Sequence, residues 1–497
     1  MNENISALHT DKYQLTMMYA HFKNGTHLNK RAFDLYFRKL PFGNGYTVFA
    51  GLERAIHYLS NLQFTEEDID YIKSFDEPFD PAFLDYLRNL RFTGNIYALP
   101  EGTLAFPGVP MLRAEGSIIE LQLIETALLN FIGFQSLIAT KAARIRHVAP
   151  DEQLMEFGTR RAQEKDASVW GARAAYLAGF DATSNTLAGK KFGIPTSGTH
   201  AHAWIQDFPS ELEAFRAYAN TFPDHCVLLV DTYDTLRSGL PHAIQVGREL
   251  KKQGKTLKGI RIDSGDLAYL SKQSRQMLDE AGLTETKIVA SSDLDEFTIL
   301  NLKSQGAKVD SWGIGTKLIT AYDTPSLGAV YKMVSRYENG TWEPTIKISS
   351  NPAKVTTPGR KNVYRILDRK NKAHGDLLTL VDEQINENKP LTLFHPVHTF
   401  RRKKMKHFKA VPLLKPIFQN GKLVYDPPSL RQVRSYHREQ LSQFWEEYLR
   451  ILNPEEYHVN LSNKLWKMKE DMMQKVYQTI KDEENGNTGS SSDGPVS

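Results

Sequence analysis

The chain has 497 residues, 41% of them hydrophobic and 24% charged, which is typical of a globular protein of about three domains with a large core. Its formal net charge of +4 is too small to indicate a nucleic-acid or membrane-surface partner, but it suits small anionic ligands. The single cysteine, Cys226, excludes an intrachain disulfide and lies in an apolar run, so we expect it to be buried. Neither a signal-peptide pattern nor an apolar run long enough to span a bilayer is present, so we expect a cytoplasmic protein.

Residues 1–130 mix short strands with helices and predict an α+β domain. Residues 32–37 alternate in polarity as a half-buried strand does. Thr65 precedes three acidic residues, which indicates a helix that begins after an N-cap. The glycine- and proline-rich segment 102–120 predicts strands and tight turns, and residues 119–147 predict one or two helices.

The next stretch, from about residue 150 to 335, is a regular alternation of short β-rich runs with amphipathic helical segments. The β-rich runs are 154–157, 180–183, 193–196, 227–230, 259–262, 287–290, 309–312 and 329–332. Repeated strand–helix units predict a parallel sheet. About seven or eight such units favour a closed β/α barrel over an open sheet, and we assign residues 131–340 to this domain.

Beyond residue 340 the sequence is basic and rich in turns, with a helical pattern at 428–482. We assign residues 341–484 to a C-terminal segment whose basic run at 401–404 is expected to be a solvated loop. Residues 485–497 are rich in glycine and serine, a composition that predicts a disordered tail.

The functional groups of a β/α barrel gather where its strands end and its loops begin. The third β-rich run leads into a turn, Ser197-Gly198-Thr199, followed by His200 and His202. Glycine lets a ligand approach the backbone, the hydroxyls and amides suit an anion, and a histidine can act as a general acid/base or a nucleophile. An isolated His-x-His pair is more often a turn with satisfied histidines, so the interpretation depends on the other strand ends.

Three of those strand ends have the chemistry of a phosphate and metal site. Gly313, Gly315 and Thr316 precede a possible helix and form a candidate phosphate cradle. Asp263 and Asp293 can accept hydrogen bonds from ribose hydroxyls or help to hold Mg²⁺. The chain has no Gly-x4-Gly-Lys-[Ser/Thr] loop, so any ATP must bind by other means.

The first strand end has the chemistry of a site for an aromatic acid. Phe157 offers a flat apolar face, and the adjacent Arg160 and Arg161 can form forked hydrogen bonds to a carboxylate or a phosphate. The acidic residues at other strand ends have a second interpretation as helix N-caps, which applies to Asp266 and Asp293 more than to Asp263.

These residues belong to short motifs that occur in order from about Thr10 to at least Arg365. The motifs are Thr10-Asp11-Lys12-Tyr13-Gln14, Phe37-Arg38-Lys39-Leu40-Pro41-Phe42, Pro100-Glu101-Gly102-Thr103, Phe157-Gly158-Thr159-Arg160-Arg161, Gly198-Thr199-His200-Ala201-His202, Leu229-Val230-Asp231-Thr232-Tyr233-Asp234, Arg261-Ile262-Asp263-Ser264-Gly265-Asp266 and Thr357-Pro358-Gly359-Arg360-Lys361. In these motifs the chain resembles nicotinate phosphoribosyltransferase. The resemblance implies a type II phosphoribosyltransferase fold, an irregular β/α barrel joined to a second α+β domain built from the N-terminal and C-terminal segments. It also implies a homodimer with shared active sites.

The resemblance further implies an activity in NAD salvage. Nicotinate and phosphoribosyl pyrophosphate would condense to nicotinate mononucleotide and pyrophosphate, with Mg²⁺ as cofactor and with coupled hydrolysis of ATP as co-substrate, as in a ligase. The histidine of the Gly-Thr-x-Ala-His motif is phosphorylated in this family, and in this chain it is His202. His200 is the competing candidate, but it occupies the variable position of the motif.

Individual roles follow from the same resemblance. Tyr13 of the other subunit and Phe157 would stack on opposite faces of the pyridine ring, and Arg160 would bind the nicotinate carboxylate or the 5′-phosphate region. Arg261 and Asp263 would orient base and ribose. The remaining substrate contacts would come from Asp293 on the ribose, from Gly313, Gly315 and Thr316 on the 5′-phosphate, and from Ser197 and Thr199.

Three alternatives stay open at this point. A related enzyme uses nicotinamide and recognises its amide with an acidic residue after the second strand, where this chain has the neutral Asn185, which favours the acid substrate. Quinolinate phosphoribosyltransferase is a much shorter chain and leaves the C-terminal segment unexplained. A non-catalytic phosphosugar-binding barrel has no need of a histidine that can be phosphorylated.

Overall fold

The computed structural model describes residues 5–349 and 354–488, and these form two compact units. The first unit comprises Met1–Gly133, Leu327–Pro428 and Arg438–Ser497, so that N-terminal and C-terminal segments belong to one unit. The second comprises Phe134–Ser326 and Ser429–His437. Among the described residues, every helix is too short or too polar to cross a membrane.

The strands are numbered in chain order. They are β1 Lys30–Phe37, β2 Thr47–Val48, β3 Asn95–Ala98, β4 Leu104–Ala105, β5 Leu112–Ser117, β6 Gln153–Glu156, β7 Ala182–Thr183, β8 Val227–Leu229, β9 Gly259–Ile262, β10 Lys287–Ser292, β11 Ser311–Ile314, β12 Ala329–Glu338, β13 Thr341–Pro344, β14 Lys361–Leu367, β15 Ala373–Leu380, β16 Leu391–Phe394, β17 Arg402–Met405, β18 Lys409–Pro412, β19 Lys415–Gln419, β20 Lys422–Leu423 and β21 Val459–Leu461.

The α-helices are numbered in the same way. They are α1 Lys12–Lys23, α2 Leu52–Ser60, α3 Glu66–Lys73, α4 Pro81–Asn89, α5 Ile118–Leu123, α6 Glu125–Val148, α7 Glu164–Leu177, α8 Thr186–Phe192, α9 His202–Gln206, α10 Glu211–Thr221, α11 Leu240–Lys252, α12 Leu267–Glu280, α13 Glu296–Ser304, α14 Thr316–Ile319, α15 Leu430–Ser442, α16 Glu446–Leu449 and α17 Asn463–Thr488.

The first unit is built on an antiparallel seven-stranded sheet in the order β13-β12-β1-β5-β3-β19-β20. The predicted strand at 32–37 lies within β1, and the predicted N-cap Thr65 forms a capping box with Asp68 at the start of α3. A second sheet, β18-β14-β15-β21, is formed entirely by the C-terminal part of the chain. The unit is therefore an α+β arrangement of N-terminal and C-terminal segments.

A buried ion pair explains why one of the sequence motifs lies in this unit. Lys361 and Asp34 are both buried, with 2.8 Å between Nζ and the carboxylate. The same Nζ donates to the carbonyl oxygens of Thr357 and Gly359 at 2.7 Å. The Thr357-to-Lys361 motif is thus tied to the central strand β1, and its lysine has a structural role.

The second unit contains a six-stranded parallel sheet in the order β7-β6-β11-β10-β9-β8. Within this sheet, β6 comes first in the chain and pairs with β11, which comes last. That is the strand order of a β/α barrel opened between β7 and β8. Met155, Ala182 and Val289 form one buried cluster with Phe157 and Val227, so strands from both edges of the sheet share a core. Pairing between the edges is absent from the described residues, and the closed barrel therefore stays a prediction.

Four expectations need correction. The run at 193–196 is not a strand, because α8 ends at Phe192 with Gly193 as its C-cap and only Thr196 forms an isolated bridge, with Thr183. The run at 329–332 is not a strand of the parallel sheet; it begins β12 and pairs antiparallel with β1. The β12 strand is only partly buried, as is typical of an antiparallel strand, whereas β11 is buried throughout. The basic run at 401–404 is exposed, but most of it forms β17 rather than a loop. The helix α17 extends to Thr488, so residues 485–488 of the predicted disordered tail are helical, and the rest of that prediction lies outside the described residues.

Other expectations are confirmed. Residues 119–147 form two helices, α5 and α6. Cys226 is a buried free thiol immediately before β8, and its burial raises the pKa of the thiol to about 12.

Candidate active site

A cavity of about 220 Å³ lies in the second unit, where the parallel strands β6, β9, β10 and β11 end. Its lining residues are Phe157, Arg160, Arg161, Arg261, Asp263, Ser291, Ser292, Asp293, Gly313, Gly315 and Thr316. Most of the residues predicted to bind base, ribose and phosphate are therefore brought together, since the carboxyl ends of parallel strands meet at one edge of a sheet.

Arg261 is at the centre of a hydrogen-bond network in this cavity. Its guanidinium donates to Ser291 Oγ at 2.8 Å, to Asp263 Oδ1 at 3.0 Å and to Thr199 Oγ1 at 3.1 Å. The guanidinium carbon also lies 5.7 Å from the centre of the Phe157 ring. The arginine is fixed in orientation by three partners, one in β10, one directly after β9 and one in the loop before His202, which is the kind of preorganisation that a charged transition state requires.

Asp263 is ionised in this environment. Its burial opposes ionisation, but hydrogen bonds from Ser291 and Arg261 outweigh that effect, so the pKa of the Asp263 carboxyl lies below its usual value. The Ser291 hydroxyl donates to the same Oδ1 atom that Arg261 contacts, which leaves the second carboxylate oxygen for a ligand.

Asp231 connects Asp263 to His202. Its Oδ2 accepts hydrogen bonds from the Asp263 amide at 3.0 Å and from Ser264 Oγ at 2.6 Å. Its Oδ1 is buried without a hydrogen-bond partner and lies 4.0 Å from Nε2 of His202. His202 Nδ1 lies 3.0 Å from the Thr232 hydroxyl, and the histidine side chain is 41% exposed. This imidazole is both accessible and oriented.

His200, the competing histidine, is held in a different way. It is buried against Tyr218, its Nε2 accepts the Leu229 amide at 3.3 Å, and its Nδ1 lies 3.5 Å from the Ala201 carbonyl. Burial lowers the pKa of His200 to about 4. Both ring nitrogens are engaged and the ring is neutral at pH 7, so His200 has the properties of a structural residue.

The glycines of the predicted phosphate cradle also serve the packing of Phe157. A Cβ atom at Gly313 would lie 2.6 Å from the Phe157 ring, and one at Gly315 would lie 3.1 Å from the Phe157 carbonyl oxygen. The Phe157 amide donates to the Ile314 carbonyl at 2.8 Å, so the aromatic residue is locked beside this strand. The following helix α14 spans only Thr316–Ile319, so the cradle is a loop feature rather than the end of a long helix.

The capping alternatives are resolved differently for the two aspartates. Asp266 is the N-cap of α12 and accepts the Tyr269 amide at 2.9 Å. Helix α13 is capped by Asp295, which accepts the Thr298 amide at 2.7 Å, so Asp293 is not needed for capping and is exposed in the cavity. The preceding Ser292 has φ of 152°, a conformation that is rare for residues with a side chain and is often found at functional sites.

Other predicted residues are not part of the cavity lining. Asn185 is the N-cap of α8, accepts the Ala188 amide and donates to Ser168, so its amide is used inside the unit. Ser197 contacts the sulfur of Met155 at 3.2 Å. Tyr13 lies in α1 of the first unit with 50% of its surface exposed, as a residue that contacts a ligand or partner would be.

Among the described residues, no group of three or more His, Cys, Asp or Glu side chains is arranged to hold a metal ion. Asp263 and Asp293 are the carboxylates of the cavity. Mg²⁺ is commonly held by one or two carboxylates together with substrate phosphates, and this pair fits such a site.

Residue patterns alone did not assign roles to Ser291, Asp231 and Thr232. All three follow predicted strands, and that position is the signal that could have identified them. Glu156 was not singled out either, because it is the last residue of a β-rich run and carries no separate signal there.

Comparisons with known proteins cover nearly the whole chain. Residues 8–133 match the nicotinate phosphoribosyltransferase N-terminal domain, residues 152–374 the nicotinate phosphoribosyltransferase family, and residues 360–469 the nicotinate phosphoribosyltransferase C-terminal domain. The nicotinate phosphoribosyltransferase of Bacillus subtilis is 55% identical over 96% of this chain and 97% of its own length. That of Dictyostelium discoideum is 40% identical over 94% of this chain and 88% of its own length.

Solved structures agree with these sequence matches. The human nicotinic acid phosphoribosyltransferase superposes with a TM-score of 0.82 at 31% identity, over 93% of this chain and 99% of that protein. The nicotinate-nucleotide pyrophosphorylase of Pyrococcus furiosus has a TM-score of 0.67 at 25% identity, over 88% of this chain and 95% of its own. With sequence profiles, close relatives and overall fold in agreement, the chain belongs to the nicotinate phosphoribosyltransferase family.

Proposed function

We propose that this chain forms nicotinate mononucleotide and pyrophosphate from nicotinate and phosphoribosyl pyrophosphate, with ATP hydrolysis coupled through a phosphohistidine at His202, in NAD salvage. The observation that carries the proposal is the cavity where an aromatic ring, arginines, carboxylates and a glycine-rich loop converge. These are the groups needed to bind a pyridine acid, a ribose and a phosphate at one place.

The arginines of the cavity favour an acid as the base substrate. Arg160 and Arg161 line the cavity mouth, and neither guanidinium makes a hydrogen bond or ion pair with another described residue. A free guanidinium can form paired hydrogen bonds to the nicotinate carboxylate, which nicotinamide lacks. The preference for nicotinate therefore rests on these arginines and no longer on Asn185, whose amide caps a helix.

Positioning supplies much of the catalysis in this scheme. The bond between ribose C1 and pyrophosphate breaks with oxocarbenium character, and the pyridine nitrogen attacks C1 from a ring stacked on Phe157. The ionised Asp263, fixed by Arg261 and Ser291, is suited to orient the ribose hydroxyls and to stabilise positive charge on the sugar. Mg²⁺, held by Asp263 and Asp293 with the substrate phosphates, would neutralise the charge of the departing pyrophosphate.

His202 would couple ATP to this reaction. Its imidazole would take the γ-phosphoryl group with release of ADP, and water would later hydrolyse the phosphohistidine to regenerate the ring and release phosphate. The exposure of the ring, the Thr232 hydroxyl at Nδ1 and the nearby Asp231 carboxylate support this role. His200 lacks a free ring nitrogen.

The proposed assembly is a homodimer in which Tyr13 of a second copy covers the base. Tyr13 is half exposed and belongs to the first unit, so its ring is accessible to a partner. Stacking of Tyr13 and Phe157 on opposite faces of the pyridine would hold the base in line with ribose C1.

The test is mononucleotide formation from phosphoribosyl pyrophosphate and Mg²⁺ with nicotinate or nicotinamide, each with and without ATP. Product from nicotinate that rises with ATP, together with release of ADP, is the expected result. Product from nicotinamide instead would assign the chain to the sister activity. Absence of product from both bases, with phosphoribosyl pyrophosphate bound, would indicate a non-catalytic binding protein.

A further inference from the structure

Glu156, the last residue of β6, is a buried carboxyl group directly before the cavity residue Phe157. Its side chain is 1% exposed, and it forms no ion pair with any described Lys, Arg or His. Its two oxygens instead accept hydrogen bonds from neutral donors: Oε1 from the Gly158 amide and Oε2 from the Thr183 hydroxyl at 2.6 Å. Burial without a counter-ion raises the pKa of the Glu156 carboxyl, and the hydrogen bonds from Thr183 and Gly158 act in the opposite direction. A carboxyl group costs more free energy at such a buried position than an apolar side chain would, and what it supplies here is two fixed contacts.

The first contact supports the turn that carries the arginines. The Gly158 carbonyl accepts the amides of Arg161 at 2.8 Å and of Ala162 at 3.1 Å, which closes the 3₁₀ turn Thr159–Arg161. A Cβ atom at Gly158 would lie 2.6 Å from Ile319, so the Gly158 backbone is also packed closely against that side chain. The direction in which Arg160 and Arg161 leave the sheet is thus fixed through the Gly158 amide, which Glu156 holds.

The second contact supports the segment that leads to His202. The Thr183 amide donates to the Pro195 carbonyl at 3.0 Å, and the Ser197 amide donates to the Thr183 carbonyl at 3.0 Å. Thr183 therefore pairs with the start of the segment that continues through Thr199, the partner of Arg261, to His202.

We propose that Glu156 is a positioning residue that joins the two loops of the site, one with Arg160 and Arg161 and one with Thr199 and His202. It does not line the cavity and acts only through Gly158 and Thr183. The inference rests on the proposed function, because it assumes that Arg160 binds the nicotinate carboxylate and that His202 carries the phosphoryl group. Precise alignment of such groups is sensitive to shifts of about 1 Å.

The test compares Glu156→Gln with Glu156→Met in the full-length protein. Glutamine keeps an acceptor for the Gly158 amide, and its NH₂ group can donate to Thr183, whereas methionine has a similar volume without either contact. We expect Glu156→Met to raise KM for nicotinate about tenfold or more, with kcat at saturation changed less, and we expect Glu156→Gln to stay within about threefold of wild type. A merely structural residue would lower the fraction of folded enzyme, and therefore kcat, at unchanged KM.

Two results would overturn the proposal. One is an unchanged KM for nicotinate in folded Glu156→Met enzyme. The other is a Glu156→Gln enzyme as impaired as Glu156→Met, because the negative charge and not the contacts would then matter. If Glu156→Met does not fold, Thr183→Val decides: it removes the hydrogen bond to Glu156 and the acceptor of the Asn185 amide, and it leaves the Gly158 contact intact. We expect a reduced stimulation by ATP with a smaller change in KM for nicotinate. Unchanged stimulation by ATP in that variant would refute the proposal that Glu156 connects the two loops.

Arg160→Ala separates this inference from the proposed function. A KM for nicotinate that is unchanged in Arg160→Ala refutes the proposed role of the arginine, whatever the Glu156 variants do. A raised KM in Arg160→Ala with a normal KM in Glu156→Met leaves the proposed function intact and refutes only the positioning role.

Discussion

Replacement of Gly313 by alanine would place a methyl group 2.6 Å from two carbon atoms of the Phe157 ring and 3.2 Å from Cβ of Ser291. Ordinary contacts of this kind begin at 3.4 Å, so the ring must move by about 0.8 Å (3.4 minus 2.6) or the strands must separate. The Phe157 backbone is held by the Ile314 carbonyl, which leaves ring rotation and a local shift of β11 as the available responses.

Overpacking of this size costs about 1–3 kcal/mol. Because the displaced ring is the one proposed to stack on the base, we expect a similar loss in the free energy of binding nicotinate. Because about 1.4 kcal/mol corresponds to a factor of ten, we expect kcat/KM for nicotinate to fall by roughly tenfold to a hundredfold in Gly313→Ala. The assay is the steady-state rate of mononucleotide formation at saturating phosphoribosyl pyrophosphate, with nicotinate varied.

Gly133→Ala is the matched control. Gly133 lies in α6, its Cβ would meet nothing within 4 Å, and its φ is not positive. It should therefore keep full kcat/KM, with a melting temperature equal to or slightly above that of wild type, because alanine favours a helix more than glycine does. A Gly313→Ala enzyme with wild-type kcat/KM would refute the reasoning, because the ring would then have moved without consequence for the base.

Three further predictions follow from other parts of the molecule. His202→Ala should retain slow synthesis but lose its stimulation by ATP; stimulation that persists at the wild-type level excludes His202 as the phosphorylated residue. His200 has a folded pKa of about 4 against 6.5 in the unfolded chain, so the stability it provides is complete above pH 6.5 and is lost as the pH falls toward 4, by up to about 3 kcal/mol. Urea unfolding at pH 7 and pH 5 should show this loss in wild type and a smaller one in His200→Gln, and an equal loss in both would contradict it. Lys361→Met should lower the free energy of unfolding by about 3–5 kcal/mol because Asp34 is left buried and unpaired, and a double variant with Asp34→Leu should recover part of that loss.

The sequence was most informative where chemistry and strand periodicity coincide. Asp263 and Gly313 each follow a β-rich run at its polar or glycine-rich end, and parallel pairing brings such ends together. Arg261 lies inside its run, and only the family resemblance pointed to it. Residues 329–332 were assigned to the wrong sheet because the pattern of a single strand does not reveal whether its partner is parallel or antiparallel.

Side-chain pairing was the least predictable part of the site. Nothing in the local sequence distinguishes the buried, doubly engaged His200 from the exposed His202 two positions later, since the difference comes from Leu229 and Thr232 at another strand. The sequence also did not reveal that the Asn185 side chain caps its own helix, and its role toward the substrate stays a prediction.

The burial of Cys226 makes this protein convenient for site-specific labelling. Its thiol is inaccessible and stays protonated at the pH of maleimide chemistry, so it should be inert to labelling reagents while the chain is folded. A cysteine introduced at an exposed position such as Tyr233 would then be the only reactive thiol. A fluorophore at that position, two residues after Asp231, could report the arrival of ATP or phosphoribosyl pyrophosphate without prior removal of any native cysteine.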